Sequence, residues 1–301
     1  MADKVSFHEH ILKNKIKSFV LIGIILIFFI VLGYVIALVL DPSYFFIIMI
    51  FSIIFSIGYV LVSYYNSDKI ALASVRARPA SRTEHAQFYH AAENMSLASG
   101  LPMPRLYVMN SEEINAFASG RDPKHAVMCF TTGALRKLGK QELEGVVAHE
   151  MSHIANYDIR FMTLAAVMIG MISIIAQMFL RSLWFSNVDR GRDGRAQIFL
   201  ILIGVLFAIL APIAVQLVSL AISRRREFLA DATGVKLTRY PPGLASALKK
   251  IKNEHVSSSE KHNYSKAIAP LFISDPFKRK ISGLFQTHPD INERIKRLEG
   301  M

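Results

Sequence analysis

The stretch VVAHEMSHIANYD, residues 146–158, places two histidines and a glutamate inside an otherwise apolar segment. On an α-helix, side chains four residues apart lie on one face, so His149 and His153 can direct imidazole nitrogens at one metal ion, with Glu150 beside them. This H-E-x-x-H spacing would arise by chance in roughly one chain in a hundred of this composition. The alternative is two hydrogen-bonded helix histidines beside a solvated glutamate, which the apolar neighbours disfavour. The stretch therefore predicts a zinc-binding helix.

A catalytic zinc ion needs a third protein ligand, with the fourth position left for water. The extended metzincin motif would place glycine at position 156 and histidine at position 159, whereas this chain has Asn156 and Ile159. The sequence therefore excludes the metzincin branch and predicts a glutamate on a second helix as the third ligand.

The run SRRREFLADATG, residues 223–234, supplies such a glutamate. Glu227 is the candidate third ligand, and Asp231 follows one helical turn later on the same face. From that position Asp231 can accept a hydrogen bond from the second nitrogen of a zinc histidine, which fixes the tautomer of the imidazole. The alternative for Asp231 is an ion pair with a neighbouring basic residue. The alternative is that Glu227 lies on the surface and pairs with Arg224 or Lys236.

The composition indicates that these helices belong to a membrane protein. The chain has 301 residues, is 52% hydrophobic and carries a net charge of +12. Its basic residues cluster beside hydrophobic runs, and the sequence contains no glycine-rich, RNP-like or Cys/His finger pattern. We therefore expect the lipid bilayer, with its anionic headgroups, to be the partner of the positive charge, and no nucleic acid. The single cysteine, Cys129, excludes a disulfide within the chain.

Two hydrophobic runs near the N-terminus, Phe19 to Leu40 and Tyr44 to Tyr65, are long enough to cross a bilayer core of about 30 Å as helices. The tight turn DPS, residues 41–43, joins them. Lysines and arginines flank the outer ends of the pair, while the turn carries none, so the positive-inside rule predicts both outer ends in the cytoplasm. A buried helical hairpin of a soluble protein is the disfavoured alternative.

A third and a fourth hydrophobic run, Phe161 to Leu180 and Ala196 to Ile222, are also long enough to span a membrane. Four arginines in the loop between them argue against crossing, so a spanning pair, slightly favoured, and a partly embedded pair both stay open. Because His149 and Glu227 must share a compartment, the two runs either both cross or both fail to cross.

Between the hairpin and the zinc motif lies a mixed pattern of helix and strand. Residues 82–100 have helical spacing, residues 101–110 and 115–120 contain short strands, and residues 125–139 predict a strand followed by a helix capped by Gly139. The soluble part is therefore expected to combine helices with a small sheet.

Several segments together resemble the HtpX-type proteases, which belong to the integral-membrane zinc metallopeptidases with a glutamate third ligand, a group that includes the CAAX prenyl proteases. The resemblance covers nearly the whole chain. Besides the two hydrophobic pairs, it rests on NAFASG (115–120), VVAHEMSHI (146–154), RRREFLADA (224–232) and THPDINERIKRL (287–298). Asp290 stands where the family more often has a second proline.

The resemblance implies an α+β fold, a membrane-integrated gluzincin-type zinc protease domain with four hydrophobic helices. We predict four parts on this basis. They are an N-terminal transmembrane hairpin (1–75), the first part of a cytoplasmic protease domain with the H-E-x-x-H helix (76–160), the second hydrophobic pair (161–222), and the second part of the protease domain with the third zinc ligand (223–301).

The resemblance also implies roles for single residues. One zinc ion per chain would be held by His149, His153 and Glu227, and Glu150 would be the general base. Asn115 would bind the substrate backbone beside a strand, the alternative being an ordinary turn residue.

Two further roles come from the C-terminal motif. His288 would donate a hydrogen bond to the oxyanion, and Arg294 would hold that region or the substrate. The alternatives are a helix-capping histidine and an arginine paired with Asp290.

The sequence thus predicts a membrane-integrated zinc endopeptidase that faces the cytoplasm. The resemblance implies that it lies in the bacterial inner membrane and that its substrates are misfolded or damaged membrane proteins or unfolded polypeptides. A non-catalytic membrane protein with a structural zinc ion is a competing hypothesis, but a structural site needs four closed ligands and no base such as Glu150. A prenyl-protein protease is a second alternative, which needs a large intramembrane chamber that four hydrophobic segments look too few to build.

Overall fold

The computed structural model describes residues 7–39, 42–167, 170, 224–254, 271–274 and 289–301. Residues 171–223 fall outside these ranges, and with them most of the third hydrophobic run and the whole of the fourth, as does His288. The two predicted spans 161–180 and 196–222 are therefore described only at residues 161–167 and 170, which are helical.

The N-terminal hairpin consists of helices α1 (Phe7–Val39) and α2 (Phe45–Tyr65), joined by a short 3-10 turn at Pro42–Tyr44. Both contain stretches long and apolar enough to cross a membrane. Helix α1 begins well before Phe19 and takes in the basic flank, so the two helices predicted from the sequence are confirmed and the first is longer than expected. Large apolar side chains such as Phe46 and Phe51 are exposed on the hairpin, as lipid-facing residues would be.

A four-stranded sheet follows the hairpin, with strand order β1-β2-β4-β3. Strands β2 and β4 are parallel, and the pairs β1·β2 and β3·β4 are antiparallel, so β3 is an edge strand. The bounds are β1 Arg78–Pro79, β2 Arg105–Met109, β3 Ala116–Ser119 and β4 Val127–Thr131. The three longer strands were predicted and are confirmed; the two-residue β1 was not predicted.

The described helices of the soluble part cover both faces of this sheet, one face through Met128 and Phe130 and the other through Val127 and Cys129. They are α3 (Ser67–Ser74), α4 (Ala86–Ser99), α5 (Thr132–Lys137), α6 (Lys140–Ala155), α7 (158–167), α8 (Arg224–Thr238), α9 (Pro241–Asn253) and α10 (Ile291–Glu299). The predicted helix 82–100 corresponds to α4, which ends at Gly100 in the left-handed conformation that glycine favours.

Gly139 does not cap the end of α5, as the sequence had predicted, but stands at the start of α6. Its backbone N–H donates to the Glu142 carboxylate at 2.7 Å. A glutamate at the third helical position commonly satisfies this N–H, so the error lies in assigning the glycine to the wrong helix.

Helix α6 lies at the centre of the soluble part, and every residue from Gly145 to Ile154 is buried. It packs against α8, α9, α4 and β3. A Cβ at Gly145 would lie 2.6 Å from the Leu244 backbone nitrogen of α9, and a Cβ at Gly234 of α8 would lie 3.1 Å from the His149 nitrogen. Gly145 therefore lets α9 approach α6 closely, and Gly234 lets α8 approach α6 at His149.

Candidate functional site

Three buried side chains meet where α6 and α8 cross. His149, His153 and Glu227 each direct one nitrogen or oxygen to a common point, and these atoms lie within 4.8 Å of one another. The two Nε2 atoms are 3.3 Å apart, and the Glu227 carboxylate oxygens lie 3.7 Å from each of them. Because Glu227 is only 2% exposed, it is not the surface glutamate that the sequence left as an alternative.

Carboxylates on the far side fix the orientation of both imidazoles. His149 Nδ1 lies 2.9 Å from an oxygen of Asp231, and His153 Nδ1 lies 3.0 Å from an oxygen of Asp158. A hydrogen bond donated from Nδ1 to a carboxylate leaves the Nε2 lone pair available for a metal. Both imidazoles are therefore oriented as metal ligands are, with Nδ1 toward a carboxylate and the two Nε2 atoms close together.

Asp158 was not predicted from the sequence, although it is the last residue of the stretch that contains the two histidines. Helix α6 ends at Ala155, and Tyr157 then adopts φ +58°, which is unusual for a residue other than glycine. This turn directs the Asp158 side chain back to His153. The sequence signal that could have identified Asp158 as a partner of His153 is its position five residues after that histidine.

The buried charges around this point fit a divalent cation. Among the described residues that line it, four carboxylates and two guanidinium groups are buried, which leaves two negative charges when both imidazoles are neutral. They belong to Glu150, Asp158, Glu227, Asp231, Arg226 and Arg294. Buried charge is costly unless it is neutralised, so nitrogen and oxygen donors with this surplus suit a metal such as zinc. The surplus also acts on His153: burial lowers its pKa, but Asp158 and Glu227 together raise it to about 9.

Glu150 lies beside the three ligand candidates and is buried. Burial raises its pKa, and although His153 opposes this, the net result is a pKa of about 7. The backbone N–H of Ala118, on the edge strand β3, donates a hydrogen bond to the Glu150 carboxylate. A carboxyl group with a pKa near 7 is suited to both accept and return a proton at neutral pH.

Arg294 is 1% exposed and reaches from α10 into the same pocket. Its Nε and Nη2 donate to the two oxygens of Asp231 at 2.8 and 2.7 Å, and its Nη1 lies 3.5 Å from a Glu227 oxygen. Burial raises the pKa of Asp231, but the charge of Arg294 outweighs this and lowers that pKa to about 2. Arg294 therefore holds the carboxylate that orients His149, while Asp290 caps α10 by accepting from the Asn292 N–H.

Asn115 stands just before β3 and is buried. Its side-chain amide donates to the Ser274 carbonyl at 3.0 Å and accepts from the Ala116 N–H at 3.1 Å. The Ile273 N–H donates to the Ala116 carbonyl at 2.9 Å, so the chain's own segment 271–274 lies along the start of the outer edge of β3. The structure thus brings Asn115 and Arg294 to the region of the ligand candidates, and their substrate-binding roles stay predictions.

The sequence of this chain is similar to those of several known proteins. The model of Peptidase family M48 matches residues 82–301. A "Protease HtpX homolog" from Caldanaerobacter subterraneus subsp. tengcongensis is 48% identical over 256 residues, covering 84% of each chain. Another from Dictyoglomus thermophilum is 40% identical over 296 residues, covering 98% of this chain and 95% of the relative. A solved structure, the crystal structure of S. mikatae Ste24p, aligns with a TM-score of 0.45 and 20% sequence identity. The alignment covers 95% of this chain and 65% of the Ste24p chain, which is under two thirds.

Proposed function

Because this chain belongs to Peptidase family M48 and is a metalloprotease, we propose that it is a membrane-bound zinc endopeptidase that cleaves misfolded or damaged membrane proteins at the cytoplasmic face of the bacterial inner membrane. The observation that carries the proposal is the buried group of His149, His153 and Glu227, with Glu150 beside it. The names of the relatives support proteolysis, and the two apolar helices support attachment to a membrane.

His149, His153 and Glu227 would hold one zinc ion per chain, and their donor set favours zinc over a hard cation such as magnesium. Three protein ligands leave a fourth position open, as in catalytic rather than structural zinc sites. When bound, zinc would polarise a peptide carbonyl and make water a better nucleophile. Asp231 and Asp158 would keep both imidazoles in the liganding tautomer.

Glu150 is proposed to move the proton. Its carboxylate would accept a proton from the attacking water and later deliver it to the nitrogen of the leaving amine, so that one residue serves first as base and then as acid. The N–H of Ala118 would hold the carboxylate in place between these two steps. The apolar surroundings of α6 would exclude bulk water from the exchange.

The substrate backbone is proposed to lie beside the outer edge of β3, by addition of a strand. Asn115 would secure the start of that edge, and Arg294 would hold the adjoining region through Ile273 and Asp231. His288, three residues before α10, is proposed as the donor to the oxyanion on the basis of the family resemblance.

We propose a four-part arrangement: the hairpin (1–75), the two protease segments (76–160 and 223–301), and a second hydrophobic pair (161–222) that spans the membrane with the first. Because α6 is followed at once by helix α7 at residues 158–167, the metal ligands would lie close to the membrane surface. The basic flanks of the hairpin support a cytoplasmic location of the protease segments.

Cysteine labelling tests this topology. Single cysteines at positions 3, 81 and 258 should react with an impermeant thiol reagent only from the cytoplasmic side, and a cysteine at Ser43 only from the opposite side, because basic flanks stay in the cytoplasm. Cys129 is fully buried and should contribute little background. A cysteine at Asn187 should react from outside if the second pair spans. Labelling of position 81 from outside would refute the cytoplasmic location.

Metal removal tests the activity. The purified full-length protein in detergent should cleave a denatured membrane protein, lose that activity on treatment with a chelator, and regain it with one equivalent of zinc per chain, since the proposed chemistry requires the metal. The same substrate in its folded form is the control and should be cut more slowly. A protein that binds zinc tightly but never cleaves would instead support the non-catalytic hypothesis.

A further inference from the structure

Asn14 is a buried polar residue on the first membrane helix, 6% exposed, in the turn of α1 that lies against the end of α6. Its amide nitrogen donates to the Asp158 carboxylate at 2.7 Å and to the Asn156 carbonyl at 3.0 Å. Burying an amide is costly without such partners, and a polar residue within a membrane helix usually has a specific one. Both partners of Asn14 lie in the turn that follows His153.

Asp158 connects Asn14 to the ligand group. One carboxylate oxygen accepts from Asn14 and lies 3.1 Å from Nε of Arg226, while the other lies 3.0 Å from Nδ1 of His153. A single side chain therefore joins the membrane helix α1, helix α8 and a candidate ligand on α6. An unbroken path of two hydrogen bonds runs from Asn14 to His153.

The turn that carries Asp158 is held from outside by α1. Tyr157 has a positive φ, a conformation that non-glycine residues keep only where surrounding contacts stabilise it. The ammonium group of Lys15, next to Asn14 on α1, lies 4.9 Å from the centre of the Tyr157 ring. Contacts from α1 thus add to those that Arg226 and His153 make with Asp158, and together they set its position.

We propose that Asn14 and Asp158 are positioning residues of the metal centre, so that the seating of the membrane helix α1 controls how tightly His153 binds the metal. The inference rests on the proposed metal site and deepens it. An anchor that only holds the protein at the membrane would need no hydrogen bond to a carboxylate behind a ligand. A displaced α1 would leave Asp158 held by Arg226 without Asn14, so that its carboxylate could shift away from the His153 imidazole whose tautomer it fixes.

The test measures the zinc affinity of full-length protein in detergent by competition with a chromophoric chelator. Asp158→Asn should weaken zinc binding by about 10–100-fold, the usual effect of losing the partner of a liganding histidine. Asn14→Leu, which has the same branched shape but no donor, should weaken it by about 3–10-fold, because a hydrogen bond to a charged group is lost. Ser18→Ala is the matched control: Ser18 is buried on the same helix but donates only to the Asn14 carbonyl, so zinc affinity should not change.

Two further measurements separate positioning from a general loss of structure. Cobalt-substituted Asn14→Leu should show an altered visible absorption band, because the imidazole geometry changes, while thermal unfolding of the metal-free protein stays close to that of the parent. The double variant Asn14→Leu/Asp158→Asn should bind zinc no more weakly than Asp158→Asn alone, since both changes act through one path. Asn14→Asp provides a second variant: it places a second carboxylate against Asp158 and should weaken binding at least as much as Asn14→Leu.

Zinc affinity and cobalt absorption equal to those of the parent in both Asn14 variants would overturn the role of α1. Additive losses in the double variant would overturn the path through Asp158. If His153→Ala binds zinc as tightly as the parent, His153 is not a ligand, and both this inference and the proposed metal site fall. If the ligand variants lose zinc and the Asn14 variants keep it, the proposed function stands and only the role of α1 is refuted.

Discussion

Glu150→Gln protein should keep its full zinc content and cleave its substrate about 10²–10⁴-fold more slowly, the usual contribution of a general base and acid. Glutamine has nearly the shape of glutamate and can still accept the hydrogen bond from the Ala118 N–H, so the edge strand and α6 should keep their arrangement. It cannot take a proton from water. The loss should therefore appear in kcat, with KM little changed.

Zinc analysis and steady-state kinetics on one peptide substrate check this prediction. Glu293→Gln, an exposed glutamate on α10 that pairs with Arg297, is a matched control and should be as active as the parent chain. Metal-free Glu150→Gln should also unfold at a temperature no lower than the parent, because the change removes a buried carboxylate from a group with surplus negative charge. Cleavage at the parent rate would mean that another group carries the proton.

The three ligand candidates could be predicted because they follow helical periodicity. His149 and His153 are four residues apart on α6, and Glu227 lies near the start of α8, so each could be identified within one local segment. The hairpin was predictable for a similar reason, since an uninterrupted run of about twenty apolar residues is typical of a transmembrane helix. Local patterns of this kind need no knowledge of how distant segments pack.

The supporting contacts could not be predicted in this way. Asp158 returns to His153 only because Tyr157 adopts a left-handed conformation, which no propensity rule assigns to tyrosine. Asn14 is 144 residues away from Asp158, and its sequence context is that of a basic membrane flank. Arg294 was predicted to hold the substrate region, but its bidentate contact with Asp231 depends on how α10 packs on α8. These contacts are set by tertiary packing.

Replacing a ligand should have a larger effect than replacing the base. Glu227→Ala, His149→Ala and His153→Ala should each lose both zinc and activity, because two remaining protein ligands do not define a tetrahedral site. The affinity should fall by more than the roughly 10–100-fold that loss of a supporting residue costs. Chelator competition on full-length protein measures this fall, and Asp231→Asn provides the comparison for a supporting residue.

Glu227→Ala is the most informative of the three variants, because the third ligand was the least certain choice from sequence. Its carboxylate lies 3.7 Å from both Nε2 atoms, whereas Asp231 faces Nδ1 of His149 and is already held by Arg294. Removing Glu227 leaves a cavity and takes a partner from the buried Arg294, so the metal-free variant should unfold at a lower temperature than the metal-free parent. Loss of zinc from a variant that is still folded at the assay temperature would then identify a ligand. Normal zinc content in Glu227→Ala, together with loss of zinc in Asp231→Ala, would assign the third ligand to Asp231 and refute the geometry proposed for this site.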